Sequence, residues 1–129
     1  MSRRARISAA VLSLMQNGER HAWTLEELHE GLTRRGQAAD FSSVFRAAEK
    51  LAAAGAARKL LLEDGRARFE LVAAHHDHLY CMRCNTLVAV PCLIERNDFA
   101  TLERETGVTV LDHHLVLNGI CRNCREGSA

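Results

Sequence analysis

Two Cys-x-x-Cys pairs are the strongest chemical signal in the sequence: Cys81 with Cys84, and Cys121 with Cys124. In a reducing compartment such thiols stay free, and four thiolates match a closed tetrahedral zinc site. Each turn places two sulfurs on one side, so the fold has only to bring the two turns together. The pairs therefore predict a structural zinc ion. Redox-active dithiols are the alternative, although two pairs without a thioredoxin-like helix would be unusual.

A run of imidazole and carboxylate donors, His75-His76-Asp77-His78, comes immediately before the first Cys pair. In an extended segment, alternate side chains point to opposite faces. His76 and His78 should therefore share one face, and His75 and Asp77 the other. One short strand could serve two metal sites, and ligands of nitrogen and oxygen suit iron(II), manganese, zinc or nickel.

Further donors could complete these two sets. Glu70, on the preceding hairpin strand, could join the first, and His113 and Glu95 could join the second. Alternation points His114 away from His113, so we expect His114 to be a structural or solvated residue. Cys92 has no paired cysteine nearby, and we expect it to be a buried small hydrophobic residue.

Length and composition limit the size of the hydrophobic core. The chain has 129 residues, of which 47% are hydrophobic, which suits one compact unit or two small ones. A zinc-binding unit of about 55 residues would need the roughly 10 kcal/mol or more that a structural zinc supplies. The sequence shows no long apolar segment typical of a signal peptide or a membrane span. We therefore expect a cytoplasmic protein with no membrane partner.

The charge is distributed unevenly along the chain. Residues 1–74 hold 12 Lys and Arg against 9 Asp and Glu, whereas residues 75–129 hold 5 against 7, although the net charge is only +1. The basic excess includes Arg3, Arg4 and Arg6. Such an asymmetry permits binding of a polyanion, but solvated helix faces give similar counts.

Apolar periodicity predicts three helices in the first half of the chain. The first ends near residue 17. The second begins at Thr24, which forms a capping-box pattern with Glu27, and runs to about residue 35. The third, capped by Ser42 or Ser43, runs to about residue 54.

The spacing of apolar residues then changes to that of β-strands. Two strands are predicted, at residues 59–62 and 68–72, on either side of the tight-turn signal Asp64-Gly65. Three helices followed by a hairpin describe a winged helix. In that arrangement the third helix enters the major groove of double-stranded DNA, and the hairpin lies along the backbone. The candidate DNA contacts from this pattern are Ser42, Ser43, Arg46 and Lys50. A small helical packing domain without a nucleic-acid role is the alternative.

The second half predicts a strand at Thr86 to Val90, an amphipathic helix from Glu95 to Thr106, and a long strand or strand pair from Val108 to Leu117. The predicted fold class is α+β. Residues 1–74 would form a winged helix-turn-helix DNA-binding domain. Residues 75–129 would form a small α/β zinc-containing domain for metal binding and dimerisation.

An enzymatic function is disfavoured. A zinc deaminase needs His-x-Glu and Pro-Cys-x-x-Cys, but Pro91-Cys92 is followed by no second cysteine at that spacing. A zinc ion with four thiolate ligands also lacks the open position that activates water. We therefore predict a protein without catalytic activity. A metal store or zinc-ribbon interaction module that does not bind DNA is a third possibility.

The order of these features resembles the ferric uptake regulator family. A winged helix is followed by His-His-Asp-His, a Cys-x-x-Cys pair, a helix, a histidine and a second Cys-x-x-Cys pair, and the match covers nearly the whole sequence. The segment 75–84, together with Gly119-Ile120-Cys121, is the most specific part. The resemblance implies a homodimeric, metal-sensing transcription repressor that binds an AT-rich palindromic operator.

The resemblance also implies roles for individual residues. The regulatory metal site would consist of His21, Glu70, His76 and His78. An additional site would consist of His75, Asp77, His113 and an acid from the helix after the first Cys pair. Counting from Cys81 arrives at Arg96, which is not an acid, so the neighbouring Glu95 is the candidate.

The recognition-helix pattern of the family, Thr-Val-Tyr-Arg, appears here as Ser43-Val44-Phe45-Arg46, which keeps the arginine and loses the phenol hydroxyl. Phe45 therefore joins the candidate DNA contacts. Zinc-sensing relatives often have a cysteine where Glu70 stands, so the oxygen donor favours iron(II) as the sensed metal. The alternatives are a zinc-sensing uptake regulator, and a member that senses manganese or peroxide.

Overall fold

The computed structural model describes residues 1–17, 19–94 and 96–127. The chain divides into two compact units, Met1–Ala73 (unit 1) and Ala74–Ala129 (unit 2), one residue before the boundary expected from the sequence. In the part of the chain that the structure describes, no helix is both long and apolar enough to span a membrane.

Unit 1 contains three helices and a small sheet. Two of the helix starts follow from side-chain caps. Ser2 Oγ accepts the Ala5 N–H at 3.1 Å, and Thr24 and Glu27 form the predicted capping box, with bonds of 3.1 and 2.8 Å. The elements in chain order are α1 (Arg3–Gln16), β1 (Trp23–Thr24), α2 (Leu25–Arg34), α3 (Phe41–Ala53), β2 (Ala57–Leu61) and β3 (Ala67–Leu71).

The start of α3 differs from the sequence prediction. The N-cap is Asp40, whose backbone is extended and whose side chain makes no capping hydrogen bond. Ser42 and Ser43, the predicted caps, lie inside the first turn, and the Ser42 hydroxyl donates to Asp40 Oδ2 at 3.1 Å instead. The prediction of the cap was wrong because the chain enters the helix two to three residues earlier than the serines.

The three helices pack around one apolar core. Gly31 on α2 faces Leu14 on α1, and a Cβ added to Gly31 would lie 2.7 Å from Leu14 Cδ2. Any larger residue at this position would force the Leu14 side chain to shift. The core residues are Ile7, Val11, Leu14, Met15, Trp23, Leu28, Leu32, Val44, Ala47, Ala48, Ala57 and Phe69.

The sheet of unit 1 has the antiparallel order β1-β3-β2. The hairpin between β2 and β3 turns at the predicted Asp64-Gly65 position, where the Gly65 N–H donates to the Leu62 carbonyl at 2.9 Å and Gly65 has φ 77°. Arg68, buried on β3, donates from Nη1 and Nη2 to the two carboxylate oxygens of Asp64 at 2.7 Å each. This paired bond holds the loop against its own strand and lowers the pKa of Asp64 to about 2.

Unit 2 consists of β4 (Asp77–Cys81), β5 (Leu87–Val90), α4 (Arg96–Thr106), β6 (Val116–Gly119) and α5 (Arg122–Glu126). The sheet order is β5-β4-β6, with β5 antiparallel and β6 parallel to the central strand.

The predicted strand from Val108 to Leu117 was wrong over most of its length. Only Val116–Gly119 forms a strand. The preceding backbone is held by side chains, because Glu103 Oε2 accepts the Val110 N–H at 2.7 Å and Asp77 Oδ1 accepts the Leu115 N–H at 3.1 Å. A backbone whose donors bond to carboxylates has no need of a strand neighbour there.

The core of unit 2 is small. Among its described residues, Tyr80 and Cys81 are the buried hydrophobic ones, and Asp77 and His78 are buried beside them. Several apolar side chains of the sheet are exposed instead: Leu79, Val88, Leu117 and Ile120. Burial of apolar surface therefore contributes much less to this unit than to unit 1.

Candidate metal centres and nucleic-acid interface

The four predicted zinc ligands come together at one end of the sheet of unit 2. Cys81 ends β4, Cys84 lies in the following turn, and Cys121 and Cys124 lie at the start of α5 and within it. Their sulfur atoms all lie within 4.8 Å of one another, and Cys84 Sγ is 3.8 Å from Cys121 Sγ. A tetrahedral zinc with Zn–S bonds of about 2.3 Å needs sulfurs about 3.8 Å apart. The geometry therefore fits a zinc ion.

The surroundings of this cluster favour thiolates. The backbone N–H groups of Cys121 and Cys84 lie 3.3 and 3.5 Å from Cys81 Sγ and lower the pKa of Cys81 to about 6. The Thr86 hydroxyl, 3.1 Å from Cys84 Sγ, lowers the pKa of Cys84. The neighbouring Cys121 sulfur, by contrast, raises the pKa of Cys124 to about 12. Four such sulfurs can all ionise together only if a cation offsets their mutual repulsion.

A second cluster in unit 2 contains His75, Asp77 and His113 of the predicted additional site. Their ligand atoms and Cys92 Sγ all lie within 4.8 Å of one another. Burial opposes ionisation of Asp77, but the Leu115 amide and the His113 ring outweigh it, so the pKa of Asp77 is lowered. The predicted fourth ligand, Glu95, lies outside the described residues. Cys92 belongs to this cluster, although we expected only a buried small hydrophobic residue. No second cysteine lies near it in the sequence, so no spacing pattern indicated that it could be a ligand.

The predicted regulatory set is divided between the two units. In unit 1, Glu70 on β3 is buried, and its Oε2 lies 2.5 Å from His21 Nε2. In unit 2, the rings of His76 and His78 lie 4.7 Å apart, on one side of the chain as alternation predicts. His78 Nδ1 also lies 2.7 Å from His114 Nε2. Sequence reasoning left His114 out, because only the parallel pairing of β6 with β4 brings that segment beside His78.

The predicted DNA contacts lie along one face of α3. Val44, Ala47 and Ala48 face the core, which leaves the candidates on the other side of the helix. Ser42, Phe45, Arg46 and Lys50 are exposed, and Ser43 is half-buried and accepts from Arg46 Nη2 at 3.4 Å.

Between this face and α1 lies a cavity of about 210 Å³. Three basic side chains, Arg4, Arg46 and Lys50, line it together with Ser8 and Ser43. Positive charge and hydroxyl donors at a concave edge suit a phosphate group of a nucleic-acid backbone.

The model of the ferric uptake regulator family matches residues 3–118. The chain belongs to this family. The ferric uptake regulation protein of Escherichia coli strain K12 is 28% identical over 123 residues, covering 90% of this chain and 80% of the relative. The crystal structure of the Vibrio cholerae ferric uptake regulator superposes with a TM-score of 0.80 at 26% identity, covering 89% of this chain and 88% of that one.

Ferric uptake regulators are metal-responsive transcription regulators that bind DNA and form dimers. The metal differs among the neighbours of this chain. FurB of Mycobacterium tuberculosis, a zinc uptake regulator, is also 26% identical, with a TM-score of 0.56 and coverage of 95% of both chains. Family membership therefore leaves open which metal this protein senses.

Proposed function

We propose that this ferric uptake regulator is a dimeric repressor that senses iron(II) and carries a structural zinc on Cys81, Cys84, Cys121 and Cys124. The observation that carries the proposal is the buried Glu70 carboxylate held against the His21 imidazole. A buried carboxylate is costly unless a positive partner compensates it. A divalent cation bound by the oxygen of Glu70 and the nitrogen of His21 supplies that partner.

The regulatory metal would act as a link between the two units. His21 and Glu70 belong to unit 1, and His76 and His78 belong to unit 2. An ion bound by all four residues favours the arrangement of the units in which the four ligands meet. Roughly 5 kcal/mol of preference for the DNA-competent arrangement would take it from rare to dominant. In this proposal unit 1 binds DNA, and unit 2 binds metal and dimerises.

The donor set supports iron(II) over zinc. Imidazole nitrogens with a carboxylate oxygen suit iron(II) and manganese as well as zinc, and this set lacks the thiolate that would favour zinc. Zinc sensing is the main alternative within the family, and manganese is a further possibility. Only neutral imidazoles bind a metal, so metal affinity should fall with decreasing pH.

Dimerisation is supported by the exposed apolar face of unit 2. Leu79, Val88, Leu117 and Ile120 lie on its strands or directly after β6, and each is 42–49% exposed. They lie around a cavity of about 270 Å³. A second copy would cover this surface, and a two-fold dimer would present two α3 helices to the half-sites of an AT-rich palindrome.

The test of the metal switch is DNA binding as a function of metal concentration at constant pH. Purified protein would be titrated with iron(II) under anaerobic conditions, and separately with zinc and manganese(II), and binding to a labelled AT-rich palindromic duplex measured by fluorescence anisotropy. We expect iron(II) to raise DNA affinity at lower free concentrations than zinc or manganese(II) do.

Glu70→Gln should abolish the metal response, and Glu63→Gln, at an exposed position in the same hairpin, should keep it. Circular dichroism of both variants would establish that they fold. DNA affinity that ignores every metal, or a full response in folded Glu70→Gln, contradicts the proposal. A response to zinc alone would assign zinc as the sensed metal.

The role of α3 is tested by Arg46→Ala with Arg125→Ala as the matched control, because both arginines are exposed and Arg125 lies in α5 of unit 2. Loss of a base or phosphate contact should weaken DNA binding about tenfold or more for Arg46→Ala. Arg125→Ala should change affinity little. Equal effects of the two substitutions would remove α3 from the interface.

A further inference from the structure

We propose that Cys92 is a thiolate ligand that makes the cluster of His75, Asp77, Cys92 and His113 a second sulfur-containing zinc site. The site lies entirely within unit 2 and shares no ligand with the four-cysteine cluster. The proposed iron-sensing function does not use Cys92, so this inference goes beyond it.

Three ligand atoms converge on one ring nitrogen. His113 Nε2 lies 3.0 Å from His75 Nε2, 3.3 Å from Asp77 Oδ2 and 3.4 Å from Cys92 Sγ. A single imidazole nitrogen either donates one hydrogen bond or accepts one, so it cannot satisfy three partners at once. A cation at the centre of the cluster would satisfy all four groups together.

The separations also agree with tetrahedral coordination. Zinc bonds of about 2.0–2.1 Å to nitrogen or oxygen and about 2.3 Å to sulfur place the ligand atoms about 3.3–3.6 Å apart. The three contacts of His113 are close to this range, and His75 Nε2 lies 3.6 Å from Asp77 Oδ1. The cluster therefore requires little movement to accept an ion.

Neighbouring groups hold the ligands in place. Asp77 is 2% exposed, and its Oδ1 accepts the Leu115 N–H at 3.1 Å, which orients the carboxylate. The ring of Phe99 on α4 lies 5.1 Å from the ring of His113. Such supporting contacts are typical of metal ligands, which neighbouring residues must orient.

The thiolate decides which metal the site prefers. The sequence predicted Glu95 as the fourth ligand, and a set of nitrogen and oxygen donors alone would suit iron(II), manganese, zinc or nickel. Replacing that carboxylate by the sulfur of Cys92 shifts the preference toward zinc. We therefore expect the chain to hold two zinc ions through sulfur, one in each cluster of unit 2.

Cobalt(II) spectroscopy tests the proposal directly, because a cobalt–thiolate bond gives a charge-transfer band in the near ultraviolet and cobalt bound only by nitrogen and oxygen does not. The full chain would be treated with chelator until one zinc per chain remains, in the four-cysteine cluster, and then titrated with cobalt(II). Zinc content would be measured in every sample, and samples that keep the single zinc would be compared. We expect the band to appear on cobalt addition.

Cys92→Ser should lose the band and bind zinc at this cluster about tenfold or more weakly. His113→Ala should also lose the band, while Glu95→Gln and Glu70→Gln should keep it. Size-exclusion chromatography and circular dichroism would compare the folding of the variants.

The proposal is overturned if Cys92→Ser keeps the full band. It is also overturned if Glu95→Gln is the only variant that loses the band. A zinc content of two per chain that is the same in Cys92→Ala and the unchanged chain at one buffered, low free zinc concentration overturns it as well. These readouts measure ligation rather than DNA binding, so their outcome is independent of the proposed iron response.

Discussion

Removing the proposed structural zinc should unfold unit 2 while unit 1 stays folded. The perturbation is a strong chelator added to the full chain, or Cys84→Ser combined with Cys124→Ser, which removes two of the four sulfur ligands. Unit 1 buries a core of helix and strand side chains that includes Trp23 and Phe69. The described part of unit 2 buries Tyr80 and Cys81 as its hydrophobic residues.

The magnitudes decide the outcome. Full burial of a large side chain such as Tyr80 contributes about 2–3 kcal/mol. Ordering one residue costs about 1.5 kcal/mol in conformational entropy. The buried apolar groups therefore offset the entropy cost of ordering only a few residues. The strand β4 alone, Asp77–Cys81, has 5 residues to order. A structural zinc contributes roughly 10 kcal/mol or more, which is the largest single stabilising term available to this unit.

Hydrogen exchange measured by mass spectrometry resolves the two units. In the zinc-free chain we expect peptides of β4, β5 and β6 to exchange at rates close to those of an unfolded chain. Peptides of α1, α2 and α3 should keep their protection. Size-exclusion chromatography should show the loss of the dimer, and zinc added back should restore both signals.

Two results would refute this reasoning. One is protection of the Tyr80 amide in zinc-free protein equal to that in the zinc-bound form. The other is loss of protection in peptides of α1, α2 and α3 together with those of unit 2 when zinc is removed. The core of unit 1 would then depend on the metal as well.

Three further predictions concern unit 1. Asp64→Asn should lower the free energy of unfolding by about 1 kcal/mol by breaking the paired bond to Arg68. In the native chain the pKa of Asp64 is lowered, so this contribution is present above pH 3.8 and lost as pH falls toward 2. Denaturant melts at several pH values measure it, and a stability difference between Asp64→Asn and the native chain that stays the same at pH 2 contradicts it. Gly31→Ala should destabilise by about 1–2 kcal/mol, since crowding of Leu14 outweighs better helix propensity; pairing it with Leu14→Ala should cost less than the sum of the two, and strict additivity would count against the contact. Thr24→Ala should cost about 1 kcal/mol in thermal or denaturant melts through loss of the capping box, and a change near zero would mean that water replaces the cap.

Local signals in the sequence predict unit 1 well. The three helices follow from apolar periodicity, and the capping box of Thr24 with Glu27 was confirmed because it involves only atoms three residues apart. The strand β1 was missed. It has two residues, too few to show a period, and its partner Phe69 lies far along the chain.

Long-range contacts account for the errors in unit 2. The segment before β6 has the composition of a strand, but the carboxylates of Glu103 and Asp77 take its backbone donors. Neither carboxylate can be assigned that role from sequence spacing. Cys92 was set aside for the same reason, since only the folded chain brings its sulfur to His113.

The contrast between the units implies that zinc and the regulatory metal act at different levels. The exposed side chains Leu79, Val88 and Leu117 lie on paired strands that the proposed sulfur-bound zinc would hold in register. Losing that zinc would disperse the apolar face and with it the proposed dimer. Losing the regulatory metal would leave the dimer intact and change only the arrangement of the DNA-binding units. Because four thiolates bind zinc far more tightly than imidazoles and one carboxylate do, the two losses should occur at well-separated metal concentrations. Over the range between them, DNA affinity can vary with the regulatory metal while the oligomeric state stays constant.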